Sequence, residues 1–446
     1  MSGAWREHWF PLAFMRDLEP GRIDRIGLHE RHIALFLDAA GQPAALLDRC
    51  PHRTARLSDG RVREGTLECL YHGWRFDRSG ACVEAPQQPA DTPMPPRSCA
   101  TALPVRVEQG VVWAWGGRGA ASADAPPAAG PATVAGLDRA GVHSVDFVMD
   151  LPYGQDAFIE NVLDVAHIHV AHAGTRGGGD RRLAGPLDVE LEHEGPEGFA
   201  ATFRTRGLAG AQRTAGLRRA WVEFRAPNLV HYVSDFEDPS LVSGLALYSL
   251  PTGPDSARML YRAYGNLWTE ADRKRPRWVE HLGQCHLLEE DMAVVRGQVE
   301  AIDRSDETLA ELWQPLRTSD RLVVRYREWI DRHALDRPGA VGLRSVGARR
   351  IHEPRVALDR WTLHSRHCAD CRAAHARLTR RRVGWSRGAL VALAVAAASP
   401  VAWAWLPALG ALAATGFAHR DGAQAEALVK ERDLRRSRPP QVTTFS

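Results

Sequence analysis

Two short segments constrain this chain more than any other feature. Cys50-Pro-His52 and Cys69-Leu-Tyr-His72 each offer one thiol and one imidazole, and sixteen residues separate the two pairs. Donors that must converge from two such segments need loops held tip to tip by a rigid frame. Residues 1–118 supply one. Short apolar runs at 44–47, 66–70, 103–107 and 111–115 alternate with turn signals at Gly60, Gly65, Gly73, Gly80 and Gly110. That pattern predicts a small all-β domain with the four donors in its loops. Pro51 and the glycines near the donors suit tight loops whose amides point at sulfur.

Two thiolates and two imidazoles are the donor set of a Rieske [2Fe–2S] centre, in which histidines replace cysteines on one iron. The same residue types bind zinc, but zinc fingers usually carry a Cys-x2-Cys pair ahead of their histidines, whereas each loop here mixes one of each. The mixed pairs let the thiolates hold one iron and the imidazoles the other. The chemistry expected is one-electron transfer.

Composition narrows the setting. A chain of 446 residues allows two to four domains. A net charge of +3 gives no case for a nucleic-acid partner. Seven cysteines at this length are too few for a secreted disulfide scaffold. Charges fall within the first eight residues and the stretch from Met1 to Arg16 does not read as a signal-type apolar h-region, so a cleaved signal peptide is not expected.

Residues 119–140 are rich in Ala, Pro and Gly and read as a linker. From 141 to 330, strand-like segments at 142–149, 187–191, 199–204, 220–224, 229–233, 243–250 and 258–264 accompany a helical stretch at 156–172 and a long helix at 275–302. An antiparallel sheet with helices against it is an α+β domain. An extension at 331–387 contains Cys368-Ala-Asp-Cys371, residues 388–418 carry no charge, and 419–446 form a polar tail.

The helical stretch reads Asn161-Val-Leu-Asp164-Val-Ala-His167-Ile-His-Val-Ala-His172. His167 and His172 are five apart, so they converge only if the helix distorts or ends between them. Two histidines and one carboxylate make a facial triad that leaves positions open on iron(II). His169 points to another face and reads as a surface or neighbouring residue. The remaining lone histidines (His29, His32, His143, His231, His281 and His286) read as ordinary side chains.

Taken with the loops around Cys50 and Cys69, including His72-Gly73-Trp74, these motifs resemble the Rieske non-haem iron oxygenases. The Rieske subunits of cytochrome complexes are less similar, because they carry a further cysteine in each ligand loop, and Cys82 falls outside the second loop here. The oxygenase resemblance implies a helix-grip-like catalytic domain, one Rieske [2Fe–2S] cluster on Cys50, His52, Cys69 and His72, and one mononuclear Fe(II) on His167, His172 and a carboxylate of the long helix. The family's pattern there places the ligand at Asp291, with Glu290 its nearest competitor. It also implies that Asp164 bridges a cluster histidine and an iron histidine between subunits of a homotrimer, His72 of one chain facing Asp164 and His167 of the next. Asn161 resembles a polar residue lining the active site, with helix stabilisation as its bland alternative.

Arginines at 377, 380, 381, 382 and 387 precede the uncharged run, and Arg420, Lys430, Arg432, Arg435, Arg436 and Arg438 follow it. Pro400 and Pro407 divide it. The run predicts a transmembrane hairpin or a kinked single span with cytoplasmic flanks. Cys368 and Cys371 are a redox pair, half a metal site or an incidental pair. A C-terminal C-x-x-C followed by membrane helices resembles the membrane-attached, pheophorbide a oxygenase-like branch of the family. Its alanine- and arginine-rich composition suggests a bacterial relative at the inner membrane. The activity so implied is mono-oxygenation of a lipophilic, cyclic or pigment-like substrate. Electrons would come from a ferredoxin or an NAD(P)H-dependent reductase, since no dinucleotide-binding G-x-G-x-x-G follows a strand. The alternative is a membrane-bound electron carrier or thiol redox sensor without turnover.

Overall fold

The alternating apolar pattern in the middle of the chain becomes, in the computed structural model, seven antiparallel strands. Their order across the sheet is His143–Leu151, Ser256–Gly265, Ser243–Gly253, Leu229–Phe236, Leu217–Arg225, Gly198–Phe203 and Val189–Gly195. Within Leu217–Arg225, Ala220, Val222 and Phe224 are buried and the residues between them are less so. This is the two-residue period of a strand with one covered face. The structure describes residues 4–89, 91–117, 130–175, 178–203, 216–348, 350, 359–400 and 403–430. Much of the predicted linker (119–129) and the end of the predicted tail (431–446) lie outside them.

The N-terminal third forms three small antiparallel sheets. Trp9–Phe14, Val111–Trp115 and Val105–Glu108 make one. Ile23–Leu28, Arg31–Leu37, Pro43–Leu47 and Ala102–Leu103 make the second. Arg61–Arg63, Thr66–Glu68, Arg75–Phe76 and Cys82–Glu84 make the third. Trp9, Phe14, Val111 and Trp113 share one apolar cluster with Val148, Leu229, Tyr248 and Leu260 of the seven-stranded sheet. Arg262 ties the same junction: it pairs with Asp146 at 2.7 Å and donates to the Gln109 carbonyl at 2.5 Å. The expected all-β and α+β parts are both present.

The predicted helix at 156–172 is two helices, Gln155–Leu163 and Ile168–Ala171. The long helix runs Arg277–Arg304. The chain divides into two compact units, Met1–Lys274 with Asp291–Pro354, and Arg275–Glu290 with Arg355–Ser446.

The second unit corrects the membrane expectation. Helices Ala369–Ala398 and Trp405–Ala427 pair as a hairpin, with Trp385 on Phe417 and Arg381 3.2 Å from Asp421. Among the described residues, however, no helix is long and apolar enough to cross a membrane. The uncharged run is split by the break before the second helix. Its pieces at 388–398 and 405–418 rise only roughly 16 and 21 Å at 1.5 Å per residue, against about 30 Å of bilayer hydrocarbon. The remainder of each helix carries charge, including Arg377, Arg382 and Asp421. The transmembrane segment, the membrane partner and the inner-membrane location inferred from it therefore fall away.

Candidate metal centres

Both cysteine–histidine loops are closed by the same pair of backbone bonds. The Cys50 amide donates to the Ala55 carbonyl at 2.8 Å and the Thr54 amide to the Cys50 carbonyl at 2.9 Å. In the second loop the Cys69 amide donates to Trp74 at 2.8 Å and the Gly73 amide to Cys69 at 2.9 Å. The fifth residue of each loop takes a left-handed φ, 59° at Thr54 and 74° at Gly73. Two near-copies facing each other set like donors side by side. Cys50 and Cys69 are in contact and buried in an apolar cluster with Phe36, Leu57, Leu67 and Phe76. The His52 and His72 rings lie 4.4 Å apart, and His52 stacks flat on Trp74. The imidazole side is open to solvent: His52 is exposed and Tyr71 beside His72 is 61% exposed.

Burial pushes the Cys50 thiol up to about 11, and Cys69 adds to the shift, while the His52 and Arg53 amides donate toward its sulfur and oppose it. A buried sulfur pair and an imidazole pair that is exposed at His52 and partly exposed at His72 fit a two-iron cluster with different ligands on each iron.

The second centre is built by a helix that stops. The Gln155–Leu163 helix ends at Asp164, whose carboxylate accepts the Ala166 amide at 3.0 Å and turns the chain. His167 and His172 then flank the single turn Ile168–Ala171 at its two ends. His172 is the C-cap of that turn, at φ −104° and ψ 22°, and the two imidazoles five residues apart have ring centroids 5.2 Å apart. Asp291 of the long helix meets them: its Oδ1 is 3.2 Å from His172 Nε2 and 3.7 Å from His167 Nε2. The carboxylate that converges with the histidines is Asp291 and not Glu290. His167 Nδ1 is buried without a hydrogen bond of normal length, and Asp164 Oδ2 stands 3.6 Å from it. Burial disfavours the His167 imidazolium, but Asp164 and Asp291 outweigh it and raise its pKa. Two nitrogens and one carboxylate with a cation-favouring field fit a divalent metal.

A half-open cavity of about 330 Å³ adjoins this centre, lined among others by Asn161, Asp164, His167, Asp291, Gln298 and Trp313. Beneath it lies a buried network that the sequence did not indicate. Gln298 donates to Glu160 at 3.2 Å, and Arg327 pairs with Glu160, with Asp156 at 3.0 Å and with the Val341 carbonyl at 2.7 Å. Burial raises the Glu160 pKa, and Arg327 offsets part of that. Glu160 sits one turn before Asp164, a spacing that a helical reading can find. Arg327 is far away in sequence and carries no such signal.

Two histidines depart from their expected settings. His169 is buried, not at the surface, and its Nδ1 accepts the Asp180 amide at 3.2 Å. His281 is not an isolated side chain. It lies with His364 against Cys368 and Cys371, all four buried and both thiols free.

Residues 8–104 match the Rieske [2Fe–2S] domain, and residues 224–308 match pheophorbide a oxygenase. With the mixed loops and the two-histidine, one-carboxylate centre in one chain, fold and site define a Rieske-type non-haem iron oxygenase. The chain is 30% identical over 403 residues to chloroplastic pheophorbide a oxygenase of Oryza sativa, covering 83% of this chain and 73% of that protein. It belongs to the pheophorbide a oxygenase family. It is also 30% identical to Protein TIC 55 of Arabidopsis thaliana, over 78% of this chain, and spans 63% of that relative's length. Among solved structures, dicamba monooxygenase bound to dicamba shares the fold at a TM-score of 0.57 and 22% identity, over 74% of this chain and 98% of that one.

Proposed function

We propose that this chain is the terminal component of a mono-oxygenase acting on a lipophilic ring compound. The observation that carries the reading is the convergence of His167, His172 and Asp291 beside a half-open cavity, in a chain that also bears the Cys50/His52 and Cys69/His72 loops. In this reading the loop donors hold a [2Fe–2S] cluster and the triad holds Fe(II). When bound, these groups supply one-electron transfer and dioxygen activation. The chain's own residues orient and select. Asp164, 3.6 Å from His167 Nδ1, would orient the ring once it closes on that nitrogen, as carboxylates do for metal-bound histidines. The His52/His72 edge, with His52 exposed, would present the imidazole side of the cluster to a redox partner, and a homotrimer would bring His72 of one chain to Asp164 of the next. Electrons would come from a ferredoxin or an NAD(P)H-dependent reductase.

The cavity lining supports the substrate class. Trp313, Pro315, Val294 and Val295 offer apolar surface, while Asn161 and Gln298 add amide groups to the lining. A volume of about 330 Å³ is at the small end of ligand pockets. It suits a small ring system, or one edge of a macrocycle such as the pheophorbide for which the rice relative is named. The test is turnover of the full chain with a ferredoxin and reductase, against a panel of planar lipophilic ring compounds under labelled dioxygen. One labelled oxygen atom in a product is expected. Reduction of the cluster without oxygen incorporation into any compound, in protein loaded with both iron centres, would leave only an electron carrier.

A further inference from the structure

Among its described residues, the second unit is held by a small apolar cluster. Its buried cluster consists of Cys368, Cys371, Ala374, Leu378, Ala425 and Leu428, with Trp278 and Leu282 partly covered against it. Two of the six are cysteines and two are alanines. Folds with so small a core usually need a staple, a disulfide or a metal.

The centre of that cluster is polar. His281 comes from the second turn of the long helix, and His364 from the π-helical turn Trp361–Ser365. Cys368 caps the Ala369–Ala398 helix and Cys371 lies in its first turn. His281 Nδ1 is 3.1 Å from His364 Nε2 and 3.5 Å from each sulfur, and His364 Nε2 is 3.3 Å from Cys371 Sγ. All four donor atoms lie within 4.8 Å of one another. Hydrogen bonding among the four does not account for this. One ring nitrogen has a single in-plane site, as donor or as acceptor, yet three polar atoms converge on His281 Nδ1.

A tetrahedral ion accounts for the whole set. With zinc–nitrogen and zinc–sulfur bonds of usual length, the edges of the tetrahedron are about 3.3 Å between nitrogens, about 3.6 Å between nitrogen and sulfur and about 3.8 Å between sulfurs. The observed separations match the first two. A two-iron cluster would instead hold one ligand pair well apart from the other. Two thiolates and two neutral imidazoles also make a divalent site neutral overall, which suits burial. A thiol–disulfide switch is a poorer fit. Exchange requires a thiolate to reach a sulfur, and Cys368 and Cys371 are both 0% exposed.

The geometry points to a structural zinc site formed by His281, His364, Cys368 and Cys371, separate from both iron centres and closing the second unit. It is tested on the full chain purified aerobically without added metal. Elemental analysis should find one equivalent of zinc per chain beside the iron. Protein produced in cobalt medium should show the visible bands of tetrahedral cobalt(II) and a thiolate charge-transfer band. His281→Cys should keep the metal and intensify that charge-transfer band, a shift that can be read even if Cys368→Ser and Cys371→Ser fail to fold. The visible spectrum of the [2Fe–2S] cluster reports that the first unit is folded in each variant, and far-ultraviolet circular dichroism of the helices reports the second. A chain that carries iron but no zinc, with Cys368 and Cys371 recovered as free thiols or as a disulfide, would overturn the assignment, as would six-coordinate cobalt bands.

Discussion

His167 stands between two carboxylates: its Nε2 faces Asp291 at 3.7 Å and its Nδ1 faces Asp164 at 3.6 Å. In the proposed reading the first carboxylate would share the iron with the ring, and the second would address the ring from behind. Asp164→Asn keeps the size of the side chain and removes its charge. It should leave the cluster spectrum and the iron content in place and lower kcat by roughly 10–100-fold, the range usual for partners of metal-bound histidines. Steady-state oxygen uptake with saturating electron donor measures this. Unchanged kcat would remove Asp164 from the electron path.

Asp291→Ala separates the two iron centres. The triad loses its carboxylate, while the loops around Cys50 and Cys69 are untouched. Total iron should fall by about one third with the [2Fe–2S] absorption retained. Glu290→Ala, one residue earlier on the helix, should lose no iron. Metal analysis alongside visible spectroscopy checks both.

The paired loops make opposite predictions at equivalent positions. Gly73 has φ +74°, and a Cβ there would lie 3.2 Å from Pro86 Cγ. Gly73→Val therefore adds a left-handed penalty of about 1–2 kcal/mol plus crowding, and cluster occupancy after purification should drop. Thr54 already bears that strain at φ 59°. Thr54→Gly should raise the thermal midpoint, by relief on the order of 1 kcal/mol.

Much of this was legible in the sequence, for physical reasons that also mark where legibility stopped. Strands such as Leu217–Arg225 announced themselves because burial on one face imposes a two-residue period. The spacing of His167 and His172 called for a helix that distorts or ends between them; the helix instead breaks at Asp164, before His167, and its next turn stops at Ala171 with His172 as the C-cap. The membrane segment was misjudged because absence of charge was counted along the chain, across a helix break. The bilayer sees only continuous apolar length. His281 and His364 stand 83 residues apart, with no periodicity linking them to each other or to Cys368 and Cys371. Their meeting is a product of packing, as is that of Arg327 with Glu160 and Asp156.

Arg327 is the charge on which the floor of the cavity depends. It is 2% exposed and answers two carboxylates that are themselves buried. Arg327→Met would leave both without a counter-charge, and loss of one partner from a buried ion pair typically costs about 3–5 kcal/mol. The denaturation midpoint should fall accordingly. Adding Glu160→Gln to Arg327→Met should recover part of the loss, a coupling that a purely steric role for the arginine would not produce.

Acid should destabilise the seven-stranded sheet through His231. Tyr264 donates its one hydroxyl proton to the Ala135 carbonyl at 3.0 Å, so its 2.7 Å contact with His231 Nε2 makes that nitrogen the donor. The other nitrogen, Nδ1, is buried without a partner. Burial, with Arg225 adding, holds the His231 pKa down at about 4. The sign follows from proton counting. Between the unfolded value of 6.5 and about 4, the unfolded chain binds a proton that the native chain refuses, so the native state loses ground as pH falls. The contribution is fully present above pH 6.5 and is lost at up to about 1.4 kcal/mol per pH unit below it. In His231→Gln the amide nitrogen takes over the Nε2 donor and cannot titrate. The slope of urea midpoint against pH across that window should flatten in the variant and persist in the parent. Equal slopes would assign the acid sensitivity to other groups, His29 first among them, whose pKa burial lowers to about 3.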